Sequence, residues 1–395
     1  MSLRHGCDVV IVGAGVVGAA CAFYAVRAGL RPLLIDRGGV AGGTTGAGEG
    51  NLLVSDKEPG PELRLALLSL RLWRDLAEES PSFATAVEYR PKGGLVVAGR
   101  PAALAALTAL AAAQRAEGVD ARTVTADGVT ALEPLLAPGF AGAVHYPQDS
   151  QVMPALAAAH WVRAARRLGA DLWTGTEVVA VVRDRSGRVQ GVRTTRGDVH
   201  APAVVNAAGV WGAELAARAG LSLPVRPRRG VVLVTEPLPP RVIRHKVYAA
   251  DYVGDVASDT DALRVSPVVE STEAGPVLIG SSREHTGFDR RLPTAVTGAL
   301  AARATALFPF LGRVQALRAY LGFRPSVPDH LPVIGPDPRA PGLHHACGHE
   351  GAGVGLAPGT ALLITRALCG EPPELDPAPF RPTRFGDPPA LAYRP

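Results

Sequence analysis

Several things are scarce in this sequence. Of its 41 basic residues only three are lysine, Lys57, Lys92 and Lys246. No dense basic run carries interleaved aromatic side chains, so nucleic acid is not an expected partner. The four cysteines, Cys7, Cys21, Cys347 and Cys369, form no CxxC pair. A patterned chain of 395 residues needs no disulfide framework, and a cytoplasmic location is expected. No stretch reaches about 18 uninterrupted apolar residues, so no membrane span is expected. Arg4 ahead of an apolar run imitates a signal peptide, but Asp8 interrupts the start, three glycines punctuate the run and no polar cleavage region follows.

What is present is a chain long enough for two or three domains. Apolar residues make up 47%, enough for a sizeable core, and the formal net charge is a mild +5. "CDVVIV" (7–12) reads as a buried strand, "AACAFYAVRAG" as an apolar helix stopped at Gly29, and "PLLIDR" as a second buried strand. Residues 61–79, 101–118 and 154–168 are predicted helices. "GGLVVAG", "EVVAVVRD", "VQGVRTTRG" and "APAVVNAAG" are predicted strands. From about 223 to 323 the pattern is β-like, and "LAPGTALLITRALCG" returns to helix.

The first strand, helix and strand enclose Gly13-x-Gly15-x-x-Gly18, and Asp36 closes the second strand 18 residues after Gly18. In that context the pattern is a dinucleotide fingerprint. Gly13 allows the tight turn, Gly15 lets a pyrophosphate approach the backbone, and Gly18 lets helix and strand pack closely. The helix N-terminus offers free N–H groups to phosphate, and the Asp36 carboxylate can accept ribose hydroxyls. The fingerprint alone does not separate NAD from FAD. Two more small-residue segments, "GGVAGGTTGAGEGN" (38–51) and "NAAGVWG" (206–212), favour the longer flavin cofactor.

With these pieces the chain resembles the D-amino acid oxidase/glycine oxidase-like family of FAD-dependent oxidoreductases. "VIVGAGVVGAACAFYAVRAGLRPLLID", "GGTTGAGEGN", "VVNAAGVWG", "GSSREHTGFD", "GFRPSVPDHLPVIG" and "GHEGAGVGLAP" carry the resemblance over nearly the whole chain. "EGNLLVSDKEPGPEL" and "HEGAGVGLAP" look most similar to the flavin subunits of D-hydroxyproline dehydrogenases and opine oxidases. The resemblance implies an α/β (α+β) architecture: a Rossmann-like FAD domain (1–85, 147–222 and 324–395) interleaved with a mixed β-sheet substrate domain (86–146 and 223–323).

It also implies roles. Gly13, Gly15 and Gly18 meet the pyrophosphate, and Val16 and Val17 are further cofactor-binding residues. Asp36 holds the adenosine ribose, Arg37 is a further cofactor-binding residue, and Val178 meets adenine through its backbone. Thr44 and Thr45 reach the pyrophosphate or the flavin side, while Gly50, Asn51, Leu52, Ala207, Gly209 and Trp211 line the cofactor. Arg324 matches the family's carboxylate-binding arginine, suited to the task by its planar bidentate fork. Tyr252, or Tyr248, can cap the substrate, and Glu350 can bring a carboxylate to a cationic amine or else face solvent. Gly351, Gly353, Val354 and Gly355 let the backbone approach the flavin ring, with Gly353 and Val354 as amide donors and Pro358 near the start of the following helix.

The expected reaction removes a hydride from the amine-bearing carbon of an amino or imino acid and delivers it to flavin N5. Candidate substrates are D-proline or hydroxyproline-like compounds, D-amino acids, glycine, sarcosine and opines. No cysteine lies in "RPSVPDHLP", so the FAD is expected to be non-covalent. Electrons leave to oxygen or to a partner electron-transfer subunit, without which the chain is inert in the second reading; a homo-oligomer is also open. An NAD-dependent dehydrogenase is the third alternative, weakened by the lack of a second nucleotide fingerprint. His344, His345 and His349 do not form HExxH in their glycine-rich segment, so no metal is expected. "GSSRE" is not a nucleophile elbow.

Overall fold

The computed structural model describes residues 6–250 and 263–386; Tyr252 lies outside the described residues. The chain opens with β1 (Val9–Val12), α1 (Val16–Arg27) and β2 (Pro32–Ile35). A 3-10 turn (Thr44–Ala47) and β3 (Asn51–Leu52) precede α2 (Pro61–Glu79), α3 (Pro81–Ala86), β4 (Gly94–Ala98) and α4 (Pro101–Ala116). Then come β5 (Arg122–Thr125), α5 (Ala126–Leu132), β6 (Gly142–Tyr146), β7 (Ser150–Gln151), α6 (Pro154–Arg167) and β8 (Asp171–Trp173). The middle of the chain forms β9 (Val178–Arg183), β10 (Val189–Thr194), β11 (Gly197–His200), β12 (Ala203–Asn206), α7 (Gly212–Ala217), β13 (Arg226–Pro237) and β14 (Lys246–Ala249). The rest forms β15 (Arg264–Ser271), β16 (Pro276–Arg283), α8 (Thr294–Leu307), β17 (Ala316–Ser326), β18 (Val333–Pro336), β19 (Leu343–Cys347) and α9 (Gly353–Cys369). Proline takes the first position of α2, α3, α4 and α6, where its missing N–H is no loss and its fixed φ suits a helix start.

One sheet runs β18-β19-β12-β1-β2-β8, parallel except for the β18/β19 edge pair. Its central strands are apolar on both faces, as a sheet covered on both sides requires. Val9, Ile11 and Leu34 face a core shared with α1, α2, α6 and α9. Val10, Leu33 and Ile35 face the small sheet β11-β10-β9.

The second large sheet runs β17-β13-β16-β15-β14-β4-β6-β5, antiparallel except for β14/β4. Side chains alternate across it. Val231, Leu233, Val277 and Ile279 pack under α8. The opposite face of β17, β13 and β16 carries Gly322, Gly230 and Gly280, with Gly230 paired to Gly322 and Val232 to Gly280. That glycine-bearing face meets the first sheet's loops, and the cleft lies between them.

Candidate functional site

The cleft offers about 290 Å³ of space to water-sized molecules. At one end it rests on the β1–α1 turn. Gly13 has φ +111°, and a Cβ there would lie 2.4 Å from the Ala207 carbonyl oxygen, so the turn admits only glycine. Gly18 is off the cleft wall: its Cβ would lie 1.8 Å from the Gly13 oxygen, so it serves the packing of α1 on the turn. Gly15, Val16 and Val17 do face the cleft. Thr45 Oγ1 accepts a hydrogen bond from Val16 N at 3.0 Å, which caps α1 from a loop 29 residues away and leaves the hydroxyl hydrogen for a ligand. Asp36 accepts from Ala14 N and Gly38 N, each at 2.7 Å, so one carboxylate ties the turn to the loop that follows. Beyond it the Arg37 guanidinium lies 4.3 Å over the Trp211 ring, which stacks on Phe288 at 5.8 Å. The Val178 carbonyl is taken by the Arg218 guanidinium.

The middle of the cleft is the 44–51 loop pressed onto the glycine-bearing sheet face. Thr44 Oγ1 donates to the Phe323 carbonyl at 2.6 Å. A Cβ on Gly322 would come within 2.7 Å of Ala47. Gly50, Asn51, Ala207, Gly209 and Trp211 all line the cleft, whereas Leu52 is fully buried beneath it.

At the far end α9 points its N-terminus into the cleft, and Gly351, Gly353 and Val354 line it. The helix starts at Gly353, three residues before the expected start at Leu356, so Pro358 sits inside it rather than near its start. Proline cannot donate to the Val354 carbonyl one turn back, and beside that gap α2 supplies two hydrogen bonds. Trp73 Nε1 donates to the Gly355 carbonyl at 3.2 Å, and Gly359 N donates to Ser69 Oγ at 3.2 Å. The first-turn amides, having no carbonyl behind them, face the cleft.

A second chamber of about 70 Å³ opens here. It shares Glu49, Asn51, Arg324, His349, Glu350 and Gly351 with the cleft, and Gly355 lines it too. Arg324 donates to the Ser282 carbonyl at 2.9 Å and lies over Gly230, whose Cβ would meet its guanidinium at 2.2–2.7 Å. Glu350 does not face solvent. It is 9% exposed, with φ +48°, and its carboxylate pairs with Arg228 and, at 2.8 Å, with His330 Nδ1. Burial opposes its ionisation, yet the His330 and Arg228 contacts hold the carboxyl down at about 2. Tyr248 is a core residue that donates to Ser55 Oγ at 2.6 Å and lines neither space.

The sequence pattern of the family described as FAD dependent oxidoreductase matches residues 8–367. The chain belongs to that family. It is 33% identical over 388 residues to a glycine oxidase of Geobacillus kaustophilus, covering 97% of this chain and 98% of the relative. It is 34% identical over 260 residues to hydrogen cyanide synthase subunit HcnC of Pseudomonas aeruginosa, covering 65% and 58%. The crystal structure of the Geobacillus kaustophilus glycine oxidase superposes with a TM-score of 0.86 at 31% identity, covering 96% of this chain and 99% of that one.

The residues present fit FAD in this member of the family. The Gly13 turn is too tight for any Cβ, amides at the starts of α1 and α9 open on the same cleft, and Asp36 stands at the end of β2. His345 and His349 have structural partners: His345 bonds Asp337 at 3.1 Å and Asn206 at 3.1 Å, and His349 bonds Thr360 at 2.9 Å. Among the described residues no three His, Cys, Asp or Glu side chains cluster as metal ligands, and no helix is long and apolar enough to cross a membrane.

Sequence reasoning did not single out Glu49, Arg228, Lys246, Glu270 or Arg283. Glu49 was legible in principle, as a charged residue inside the run "GAGEGN". The others come from separate strands with no spacing to link them.

Proposed function

We propose that this FAD-dependent oxidoreductase oxidises a small amino or imino acid at its amine-bearing carbon. The observation that carries the reading is Arg324 at the junction of the cleft and the inner chamber, held over a glycine that makes room for its fork. FAD, held without a covalent bond, supplies the hydride acceptor. Gly13, Gly15 and the α1 amides hold its pyrophosphate, Asp36 its ribose, and the α9 amides the electron-rich edge of its ring. Arg324 binds the substrate carboxylate and so orients the carbon; position, rather than a strong acid or base, contributes most in such a step. Glu350, already paired on both sides, neutralises the buried Arg228 and takes no proton at neutral pH. The domain division at 86–146 and 223–323 places the substrate on the glycine-bearing sheet face, although β17 itself runs through residue 323 to Ser326.

The test is a purified yellow protein challenged without oxygen with D-proline, hydroxyproline, D-alanine, glycine, sarcosine and an opine. Bleaching of the flavin by at least one of them is expected. A flavin that dithionite reduces and none of these compounds bleaches would overturn the reading. A second reading, that the chain is the flavin subunit of a cytoplasmic complex and passes electrons to a partner, is supported by its likeness to a protein named as a subunit. Rapid reoxidation of the isolated chain by air would exclude it, while reoxidation by a dye and not by air would favour it.

A further inference from the structure

Glu49 stands where the 44–51 loop ends, and it lines both the cleft and the inner chamber. The other carboxylates here each have a cationic partner, Asp56 and Glu62 sharing Lys57, although Glu270 Oε1 and Asp56 Oδ1 accept no hydrogen bond among the described residues. Glu270 pairs with Lys246 and, at 3.3 Å, with Lys92; Glu350 pairs with Arg228 and His330. Glu49 Oε1 is buried and has no hydrogen-bond partner among the described residues. The carboxylate is seated on Gly280, whose Cβ would lie 2.3–2.6 Å from it.

The same sheet face holds Arg324 over Gly230. Val232 pairs with Gly280, so Gly230 and Gly280 are diagonal neighbours on adjacent antiparallel strands. Such positions lie about 7–8 Å apart, and the two head groups sit at the ends of those missing side chains. A ligand that bonds both through contacts of about 2.8 Å has its own charges only about 1.5–2.5 Å apart at that strand spacing, so it must carry them on adjacent groups, as an α-amino acid does.

We propose that Glu49 is the amine-binding residue of this site: with Arg324 holding the carboxylate, it accepts a hydrogen bond from the substrate ammonium and takes one of its protons. The ammonium N–H bond breaks, its electron pair stays on nitrogen, and an O–H bond forms on Glu49. The substrate is then a neutral amine, whose lone pair can support loss of hydride from the adjacent carbon. This rests on the amino acid reading above.

Glu49 is faced by Arg324 from β17, Arg283 from β16, Glu270 from β15 and Lys246 from β14, with Glu350 and His349 in the turn before α9. Burial and the Glu270 charge push its carboxyl up to about 7, against the pull of Arg324, Lys246 and Arg283. His349 is held neutral by burial, near 3, and Glu350 stays ionised. His330, paired with Glu350, and Asp56, Lys57 and Glu62 also line the chamber, and Lys92 beside Glu270 is pushed down by burial to about 8, so the Glu49→Gln comparison is what isolates the change of charge at Glu49.

The test compares wild type with Glu49→Gln, both loaded with flavin. In the wild type, propionate, a carboxylate with no amine, should bind more weakly as pH rises through 7, followed by the flavin absorbance change; in the variant its affinity should be flat. Anaerobic reduction by the best amino acid should fall below pH 7 in the wild type. In Glu49→Gln it should be about 100-fold slower at pH 7.5 and recover only where the amine itself loses its proton. Equal flavin content in the two proteins shows that the site is formed. Matching pH dependence in both measurements would overturn this assignment and leave the amino acid reading standing; a wild type that no amino acid bleaches would take down both.

Discussion

The two ends of the cleft are built from different materials. The end proposed for the nucleotide is made of backbone: Gly13 and Gly15, with Gly18 packed behind them, amides at a helix start, and one carboxylate that ties loops together. The end proposed for the substrate is made of charged side chains from five strands and at least four loops, seated on a sheet face stripped of side chains at Gly230, Gly280 and Gly322. All three lysines of the chain lie at this end, Lys246 fully buried, Lys57 5% exposed and Lys92 half-buried. A backbone site tolerates no added atom but is indifferent to neighbouring side chains. A side-chain site can be altered residue by residue, provided its charges stay balanced.

The largest effect should therefore come from the backbone end. Gly18→Val places atoms where a Cβ alone would already lie 1.8 Å from the Gly13 oxygen. Backbone cannot yield as a flexible side chain can, so the variant should lose FAD and several kcal/mol of stability, on the scale of overpacking a core. A yellow Gly18→Val protein with an unshifted thermal midpoint would break the contrast.

Next comes the buried pair at the substrate end. Glu350→Gln leaves Arg228, 1% exposed, facing an uncharged partner, and removing one member of a buried pair costs about 3–5 kcal/mol. The sign with pH follows from the carboxyl held near 2 in the fold. Its contribution is present above the ordinary carboxylate range and is lost as pH falls through about 2. Thermal melts of wild type and variant should thus differ most above pH 5 and converge in acid. Parallel curves down to pH 2 would show that the pair contributes nothing.

The contrast also explains what could be read in the sequence. Gly13-x-Gly15-x-x-Gly18 and Asp36 were legible because backbone geometry demands those residues at that spacing. Strands β1, β2 and β12 of the first sheet were legible because burial on both faces leaves near-continuous apolar runs, whereas β8, β18 and β19 were not predicted. Arg324 was legible only through the family motif, being one arginine among many. Lys246, Glu270 and Arg283 meet through the register of β14 to β16, which no local pattern encodes, and Glu49 reaches them from the 44–51 loop. The start of α9 was misread because "GAGVG" has a turn's composition. Packing of α9 against α1 and α2, with Trp73 and Ser69 supplying hydrogen bonds, makes it helix all the same.

Arg324→Lys asks whether the substrate end depends on geometry or only on charge. A lysine keeps the positive charge and loses the planar fork. The fork sits over Gly230 and bonds the Ser282 carbonyl, so a bidentate carboxylate contact should be lost. The expected result is about a 10- to 100-fold rise in the substrate concentration for half-maximal flavin reduction, the loss of one strong charge-assisted bond, with flavin content unchanged. A variant as good as wild type would make this end a simple charge trap.

The smallest effect should be at Gly353, where the two ends use the same material. Its Cβ would meet only His349, at an ordinary 3.4 Å, and its φ lies outside the left-handed region, so Gly353→Val should fold normally. The added side chain crowds the amides at the start of α9, which favour negative charge by about 0.3–1 kcal/mol. Weakening that interaction should lower the two-electron midpoint potential by about 10–20 mV, since about 30 mV corresponds to 1.4 kcal/mol. Titration against a reference dye reads this directly. An unchanged potential would mean that the glycines of "HEGAGVG" serve only to admit the ring, and that the α9 dipole contributes nothing to the reduced cofactor.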